Sequence, residues 1–386
     1  MAEIHGECKP QFEKLRAIFK EFVDSEEELG ASLCVNIDGK NVIDLWGGYA
    51  DKERTKPWNE DTITTIFSSS KTVTALAGLM LIDRGLLDPE EKVAHYWPEF
   101  AANGKENVLV KHILSHTSGL SGWEEPVSFE QCCDFEYAAG LLAAQAPWWE
   151  PGMASGYHSL TMGFPIGKLC RIVDGRSLKD FIQEELAEPL GADFQLGVAE
   201  KDRNRYSPVV PPPPPPADFK MDFGPAGAKT FMNPPMDANY VNREVSHNAE
   251  LGAANGAANA KGISKILSVV TLGGEVDGKR IISQKTLDLI FQEQANGKDQ
   301  AIGTPLRFGL GFGLTPSGDP QIDSWLPEGK RICFWGGWGG SIIVMDLDHK
   351  ATIAYDMNKM SNIGLANIPA RRYMKEIYEV LRSGKQ

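Results

Sequence analysis

Apolar residues recur at helical spacing near both ends of the chain. Residues 10–24 place their apolar side chains on one helical face, namely Phe12, Leu15, Ile18, Phe19 and Phe22. The same spacing links Tyr373, Ile377, Val380 and Leu381 near the other end. We therefore predict an amphipathic helix at each place.

Two pairs of apolar runs, each interrupted by a short polar turn, predict β-hairpins. The first is ASLCVNIDGKNVIDLWGG at residues 31–48, whose runs flank Asp38 and Gly39, a pair that tolerates positive φ. The second has SIIVMD and ATIAYD on either side of a turn at residues 347–350. Both chain ends therefore contribute strands as well as a helix.

The pattern between the two ends is mostly helical. Residues 72–200 are dominated by helical spacing, and the run TALAGLMLIDRG ends at Gly85, a plausible glycine just beyond a helix. We predict an α+β fold in which residues 1–66 and 255–386 form a discontinuous sheet lobe. Residues 67–254 would form a mainly helical lobe, with the active site in the cleft between the two.

Composition narrows the class of protein. Of the 386 residues, 42% are apolar, which is enough for a sizeable core. The chain is also longer than one compact core usually holds. The net charge of -13 weighs against a nucleic-acid or anionic-membrane partner. The sequence has no run of about twenty apolar residues, the length that would predict a membrane span. The charged start, MAEIHGECKPQFEKLRAIF, lacks the apolar core of a signal peptide, so we expect a cytoplasmic protein with reduced cysteines.

The stretch IFSSSKTVTA at residues 66–75 carries the candidate chemistry. Positions three apart share a helical face, so Ser68 lies beside Lys71, whereas Ser69 and Ser70 do not align with it in this way. A serine hydroxyl is a weak nucleophile until a base takes its proton. A lysine is that base only when burial or a helix dipole disfavours its charged form. We predict Ser68 as nucleophile and Lys71 as base; the alternative is a chance S-x-x-K on the surface.

Two further stretches offer partners for this pair. In EPGMASGYHSLTMG at residues 150–163, the phenol of Tyr157 would share the base role if a lysine ammonium shifted it towards phenolate. In CFWGGWGGSIIVMD at residues 333–346, Trp335, Gly337 and Trp338 are candidates for substrate binding, and an edge strand there would offer the Trp338 N–H to an oxyanion beside that of Ser68. The alternatives are an ordinary buried tyrosine and a glycine-rich bulge.

Other motifs point away from metals and nucleotides. His112 and His116 in HILSHTSGLSGW are four apart, but Ile113 stands where a zinc protease has glutamate and no third ligand is evident. We expect a helix end followed by a turn, and no metal. GLGFGL at residues 309–314 lacks the spacing of a dinucleotide-binding loop, and no G-x-S-x-G motif occurs.

Six stretches together resemble the serine β-lactamase and penicillin-binding-protein superfamily, and within its class C branch the family VIII carboxylesterases. They are FSSSKTVTALAGLMLIDRGLLD, VKHILSHTSGL, PGMASGYHSLTMG, AANGAANAKG, FGLGFGL and FWGGWGGS. The resemblance covers nearly the whole chain. It implies an antiparallel sheet flanked by helices plus a mainly helical lobe, and an acyl-enzyme route without a cofactor. It also implies Ser68 as nucleophile, Lys71 with Tyr157 as base and proton relay, and an oxyanion hole from the Ser68 and Trp338 N–H groups.

Two departures from the family pattern bear on the substrate. The usual Y-x-N motif is here Tyr157-His158-Ser159, and Trp335 stands where β-lactamases and transpeptidases have lysine or histidine. An indole cannot pair with a substrate carboxylate, and loss of such a buried charge pair costs roughly 2–5 kcal/mol. The departures favour neutral or apolar acyl substrates over β-lactams and D-peptides.

We predict a carboxylesterase that acts on a small-molecule ester, with no nucleic-acid or membrane partner and an oligomeric state left open. The alternatives are an acyltransferase that moves an acyl group to an alcohol of a secondary metabolite, a β-lactamase or D-peptidase, and an inactive binding scaffold. Aromatic residues of the helical lobe line the substrate pocket or belong to the core, namely Trp123, Phe129, Trp148 and Trp149.

Overall fold

The computed structural model describes residues 3–214, 223–326, 329–362 and 365–384. Its strands are β1 (Ile4–Cys8), β2 (Gly30–Ile37), β3 (Lys40–Gly48), β4 (Ile63–Thr65), β5 (Phe194–Leu196), β6 (Tyr206–Ser207), β7 (Gly256–Ala258), β8 (Glu275–Val276), β9 (Lys279–Arg280), β10 (Ala295–Lys298), β11 (Pro305–Phe308), β12 (Gly313–Leu314), β13 (Ile332–Gly336), β14 (Ile342–Asp346) and β15 (Ala351–Met357).

Nine of these strands form one antiparallel sheet in the order β1-β3-β2-β15-β14-β13-β12-β11-β10. The first predicted hairpin is confirmed as β2 and β3, which pair across a turn where Asp38 and Gly39 both have positive φ. Such φ values match the twist of the flanking strands. The second is confirmed as β14 and β15. Strands from the two chain ends thus lie side by side, with β2 next to β15.

The helices of the described residues are α1 (Glu13–Asp24), α2 (Ser70–Asp83), α3 (Val93–Tyr96), α4 (Val110–Leu114), α5 (Phe129–Cys133), α6 (Phe135–Ala144), α7 (Gly163–Val173), α8 (Leu178–Ile182), α9 (Glu188–Leu190), α10 (Gly227–Met232), α11 (Glu244–Asn248), α12 (Ala260–Thr271), α13 (Gln284–Asp288), α14 (Pro320–Asp323) and α15 (Ile368–Arg382). A π-helical turn, Gln183–Ala187, joins α8 to α9. None of these helices is both long and apolar enough to cross a membrane.

The large sheet is covered on both faces. Leu33 and Val35 of β2 belong to the core that α1 and α15 close, which confirms the two predicted terminal helices. Cys34, between them, points to the opposite core, where α12 packs on β2 and β15. Strands buried on both faces carry continuous apolar runs rather than an alternating pattern.

Helix α2 lies at the centre of the molecule. Every residue from Ser70 to Leu81 is buried, because α7, α8, α12 and β13 surround the helix. A helix that is apolar all round needs such surroundings. The helix ends at Asp83, Arg84 is its C-cap, and Gly85 follows with a φ of +69°, as predicted for the glycine just beyond the helix. The N-terminus of α2 is therefore a rigid platform for the candidate nucleophile.

The central segment is mainly helical, but it also supplies strands. Strands β5 and β6 from this segment join β7 and β4 from the flanking segments in a small four-stranded sheet, ordered β5-β7-β4-β6. This sheet crosses the predicted limits at residues 66 and 255. The division into lobes at 1–66 with 255–386, and at 67–254, stays a prediction.

Candidate active site

A strained turn places Ser68 in front of α2. The preceding residue, Phe67, has a φ of +46°, an unfavourable backbone conformation for a bulky side chain. Its ring packs edge-on against Trp338, with 5.5 Å between ring centroids. A 3₁₀ turn, Phe67–Ser69, then leads directly into α2. Ser68 is half-buried, whereas both following serines are fully buried.

The two neighbouring serines have structural partners. The Ser70 hydroxyl donates to the Phe67 carbonyl and accepts the N–H of Gly256 at 2.9 Å. The Ser69 hydroxyl lies 2.9 Å from that of Ser341. Because these contacts hold the turn together, Ser68 is the serine of the three that is left to face the candidate site.

The amine of Lys71 lies against Ser68 and is buried. Its Nζ is 3.1 Å from Ser68 Oγ and donates to the carbonyls of Ser159, at 2.6 Å, and Ala253, at 2.9 Å. Burial holds the pKa of Lys71 well below its ordinary value. An uncharged amine has two hydrogens, which the two carbonyls accept, so its lone pair is directed at the Ser68 hydroxyl.

Tyr157 completes this group as a protonated phenol. Its hydroxyl accepts a hydrogen bond from Trp335 Nε1 at 3.2 Å, and Lys71 Nζ lies 4.8 Å from its ring centroid. Burial raises the pKa of Tyr157, although hydrogen bonds with Ser68 and Trp335 offset part of the effect. The expected shift towards phenolate is therefore wrong in direction. The physical reason is that the phenol is itself buried, and burial disfavours its charged form.

Ser68 and Trp338, the two residues expected to offer oxyanion donors, lie together at the pocket beside the candidate nucleophile. Trp338 lies in the turn between β13 and β14, not on an edge strand as expected, and Gly337 brings that turn close to Ile66. A Cβ at Gly337 would lie 2.2 Å from the Ile66 carbonyl oxygen, so only glycine fits there. Within the described part of the chain, neither the Ser68 nor the Trp338 N–H donates a hydrogen bond. Both donors are free for an oxyanion.

The indole of Trp335 lies behind Tyr157 rather than beside the apolar pocket. Only 3% of this side chain is exposed, and its ring centroid is 5.0 Å from that of Tyr157 and 5.2 Å from that of Phe308. Together with the bond to the phenol, this packing fixes the Tyr157 side chain. Trp335 therefore touches the candidate site through Tyr157.

Asp299 and His116 support Tyr157, and no motif in the sequence marks Asp299 as a candidate. Asp299 Oδ1 accepts the Tyr157 N–H at 3.0 Å from a position 142 residues further along the chain. His116 follows α4 with a φ of +61°, a helix end and turn as expected, and its Nδ1 accepts the His158 N–H at 3.1 Å. Burial holds the pKa of His116 well below its ordinary value, so the ring is uncharged.

The two candidate metal ligands have other partners. His112 Nδ1 accepts the Leu109 N–H at 3.2 Å, while His116 is bonded to the His158 backbone. Across the described ranges, no group of three or more His, Cys, Asp or Glu side chains is placed to hold a metal ion.

An apolar pocket of about 80 Å³ opens beside Ser68. It is lined by Phe67, Ser68, Phe129, Ser159, Leu160, Thr230, Pro234, Pro235, Met236, Asp237, Tyr240, Val241, Leu251, Ala254 and Trp338. Of the four aromatic residues predicted for it, only Phe129 is among them. Trp123 is a core residue that donates to the Ala138 carbonyl. Trp148 and Trp149 donate to Glu124 and to the Ala154 carbonyl.

Known proteins resemble this chain over almost its full length. A family model described as Beta-lactamase matches residues 15–375. The chain is 31% identical over 368 residues to "Esterase/beta-lactamase LipL" of Mycobacterium tuberculosis, covering 92% of this chain and 83% of that protein. A solved family VIII carboxylesterase superimposes with a TM-score of 0.90 at 34% identity, covering 98% of this chain and 100% of that one.

A second solved structure agrees with these matches. A penicillin-binding-protein homologue from Caulobacter crescentus superimposes with a TM-score of 0.89 at 31% identity, covering 98% of this chain and 100% of that one. The predicted fold class, an antiparallel sheet flanked by helices with a mainly helical part, is confirmed.

Proposed function

The chain belongs to the beta-lactamase family, and we propose from this membership and the geometry at Ser68 that it is a serine hydrolase of carboxylic esters. Esterase-named relatives and the family VIII carboxylesterase structure support this reaction class. The observation that carries the proposal is the buried Lys71 amine, which lies 3.1 Å from the Ser68 hydroxyl and whose pKa burial holds well below its ordinary value.

Acylation begins at Ser68. Its Oγ forms a bond to the ester carbonyl carbon while its proton passes to the Lys71 lone pair. The carbonyl oxygen becomes an oxyanion, which the free N–H groups of Ser68 and Trp338 bind. Loss of one such donor typically lowers the rate by about 10²–10³.

The tetrahedral intermediate then collapses with loss of the alcohol. The bond from carbon to the alcohol oxygen breaks, and the departing oxygen takes the phenol proton of Tyr157, which the Lys71 ammonium replaces. Water next attacks the acyl-serine and gives a proton to the same amine. Collapse releases the carboxylic acid and restores the Ser68 hydroxyl, so one water is consumed for each ester cleaved.

The charge distribution favours a neutral acyl group. Among the described residues, no lysine or arginine lines the pocket beside Ser68, and its one carboxylate, that of Asp237, accepts the Asn239 N–H. Trp335 and the uncharged ring of His116 lie on the other side, next to Tyr157. A substrate carboxylate would lose its hydration here without gaining a counter-ion.

The apolar pocket fits the acyl chain rather than the alcohol. Tyr157, the proton donor to the alcohol, is absent from the lining, so the alcohol leaves on the opposite side. The pocket is small, with a volume of about 80 Å³, and most of its lining is apolar. We therefore expect short acyl chains to be preferred.

A series of p-nitrophenyl esters from acetate to octanoate tests the proposal. We expect wild type to hydrolyse the short esters best and Ser68→Ala to lose this activity. Met236→Trp adds bulk at the pocket rim and should shift the preference further towards acetate, whereas Met232→Trp is the matched control, because Met232 is exposed and outside the lining. Full activity of folded Ser68→Ala would overturn the proposal.

A further inference from the structure

Three successive backbone N–H groups around Tyr157 are bound by residues that are remote in sequence. The Gly156 N–H donates to the His116 carbonyl at 2.9 Å. The Tyr157 N–H donates to Asp299 Oδ1 at 3.0 Å, and the His158 N–H donates to His116 Nδ1 at 3.1 Å. Two of these three acceptors are side-chain atoms, so the position of the Tyr157 backbone depends on the identity of the residues at 116 and 299.

Asp299 is the more unusual of the two supports. It is fully buried, and its Oδ1 also accepts the N–H groups of Ala301 and Ile302, each at 2.9 Å. Among the described residues its Oδ2 has no hydrogen-bond partner and its carboxylate forms no ion pair. A buried carboxylate without a counter-charge destabilises a fold. Its presence beside Tyr157 therefore calls for a functional reason.

The turn that contains Asp299 holds the Tyr157 segment at a second point. The Gln300 N–H donates to the Ser155 carbonyl at 2.8 Å, two residues before the tyrosine. The same turn also receives the Gly224 and Ala226 N–H groups, which precede α10 and the pocket wall at Thr230. One turn thus connects the proton-donor side of the site with the acyl side.

We propose that Asp299 is a positioning residue that acts through Tyr157, holding the phenol where it can protonate the departing alcohol. This inference rests on the proposed esterase function. Burial is the main cause of the raised pKa of the Tyr157 phenol, and the Asp299 carboxylate adds to the rise, so its place beside the tyrosine also favours the protonated phenol. Asp299 itself touches no reacting atom.

The proposal predicts a dependence on the leaving group. An alkyl alcohol leaves the tetrahedral intermediate only as it receives a proton, whereas p-nitrophenolate leaves without one. A displaced Tyr157 therefore slows cleavage of an alkyl ester far more than cleavage of an aryl ester with the same acyl group. A general loss of stability would slow both esters equally.

The experiment compares ethyl butyrate with p-nitrophenyl butyrate as substrates of Asp299→Asn, Asp299→Ala and Tyr157→Phe. Full removal of a general acid costs about 10²–10⁴ in rate, so Tyr157→Phe should lose that much on the ethyl ester. We expect Asp299→Ala to lose about 10–100-fold more kcat on the ethyl ester than on the aryl ester. Asp299→Asn keeps an acceptor oxygen and should rescue most of the difference.

Two controls separate positioning from damage. Asp346→Asn alters another fully buried aspartate, at the far end of β14, and should change both esters in parallel. In the double variant of Tyr157→Phe with Asp299→Ala, the ethyl ester should show little loss beyond Tyr157→Phe alone, because the two residues act as one unit.

Parallel losses on both esters in Asp299→Ala, or additive losses in the double variant, would overturn the inference. If Asp299→Ala does not fold, Asp299→Glu takes its place, because the longer side chain displaces the acceptor oxygen from the Tyr157 N–H. Parallel losses on both esters in that variant would overturn the inference in the same way. Failure of the proposed function gives a different result, namely a wild type that cleaves neither ester, or a Ser68→Ala variant that still cleaves them.

Discussion

Replacement of Lys71 by arginine and by methionine tests whether an uncharged amine activates Ser68. Arginine keeps a cation at the position but cannot give up its proton in a protein. Methionine keeps an unbranched chain and has neither a proton to donate nor a basic nitrogen. If Lys71 is a base, both variants fail; if it serves as a fixed positive charge, arginine retains activity.

The expected size of the effect follows from the contacts of Lys71 Nζ. Removing a general base typically lowers the rate by about 10²–10⁴, which is roughly 3–5 kcal/mol in activation free energy. Methionine also leaves the Ser159 and Ala253 carbonyls without their donor, at about 1–3 kcal/mol of folding free energy for each group. The stability of each variant must therefore be measured beside its rate.

The assay is the acylation rate with p-nitrophenyl acetate, measured as a pre-steady-state burst over a range of pH. Because burial lowers the pKa of Lys71, the wild-type rate should persist to a lower pH than an ordinary lysine base would allow, and it should fall as acid protonates the amine. Both folded variants should acylate at least about 10²-fold more slowly. An arginine variant within a few-fold of wild type would refute the base role.

Three further predictions concern the oxyanion turn, stability and substrate. Gly339→Ala should lower kcat by about 10²-fold, because a Cβ there would lie 2.6 Å from Met360 Cγ at a φ of +98° and would displace the Trp338 N–H. Gly278→Ala is the control, since Gly278 also has a positive φ but lies in open space, and this variant should not lower kcat. Equal losses in the two variants would contradict this prediction. Burial raises the pKa of Glu28 from 4.5 to about 8, so between these pH values the folded chain keeps a proton that the unfolded chain has released. The free energy of unfolding should therefore fall across this pH interval by a few kcal/mol more in wild type than in Glu28→Gln. Urea unfolding at both ends of the interval measures the difference, and an equal fall in the two proteins would refute it. A chromogenic cephalosporin should turn over at least about 30-fold more slowly than a short ester, because Trp335 offers the cephalosporin carboxylate no positive charge. Comparable rates for the two substrates would contradict this prediction.

Local patterns were sufficient for the parts of the fold that are themselves local. The hairpin at Asp38-Gly39 and the amphipathic helices α1 and α15 follow from spacing within a single segment. Ser68 and Lys71 are one helical turn apart, so their contact was likewise predictable.

Features that depend on distant segments were not predictable in this way. Asp299 reaches Tyr157 across 142 residues, and no local pattern marks such a contact. The direction of the Tyr157 pKa shift was predicted wrongly because its largest cause is burial of the phenol itself. That burial includes packing against Trp335, which lies 178 residues further along the chain. Likewise, Trp123 is an aromatic residue of the kind that lines pockets, and only its tertiary packing, which includes Phe164, places it in the core.

Covalent labelling by a fluorophosphonate, followed by intact mass measurement and peptide mapping, tests directly whether Ser68 is the nucleophile that Lys71 activates. We expect a single adduct on Ser68 in wild type, no adduct in Ser68→Ala, and labelling of Lys71→Arg that is slower by about 10² or more. An adduct on another residue, or equally fast labelling of Lys71→Arg, would contradict it.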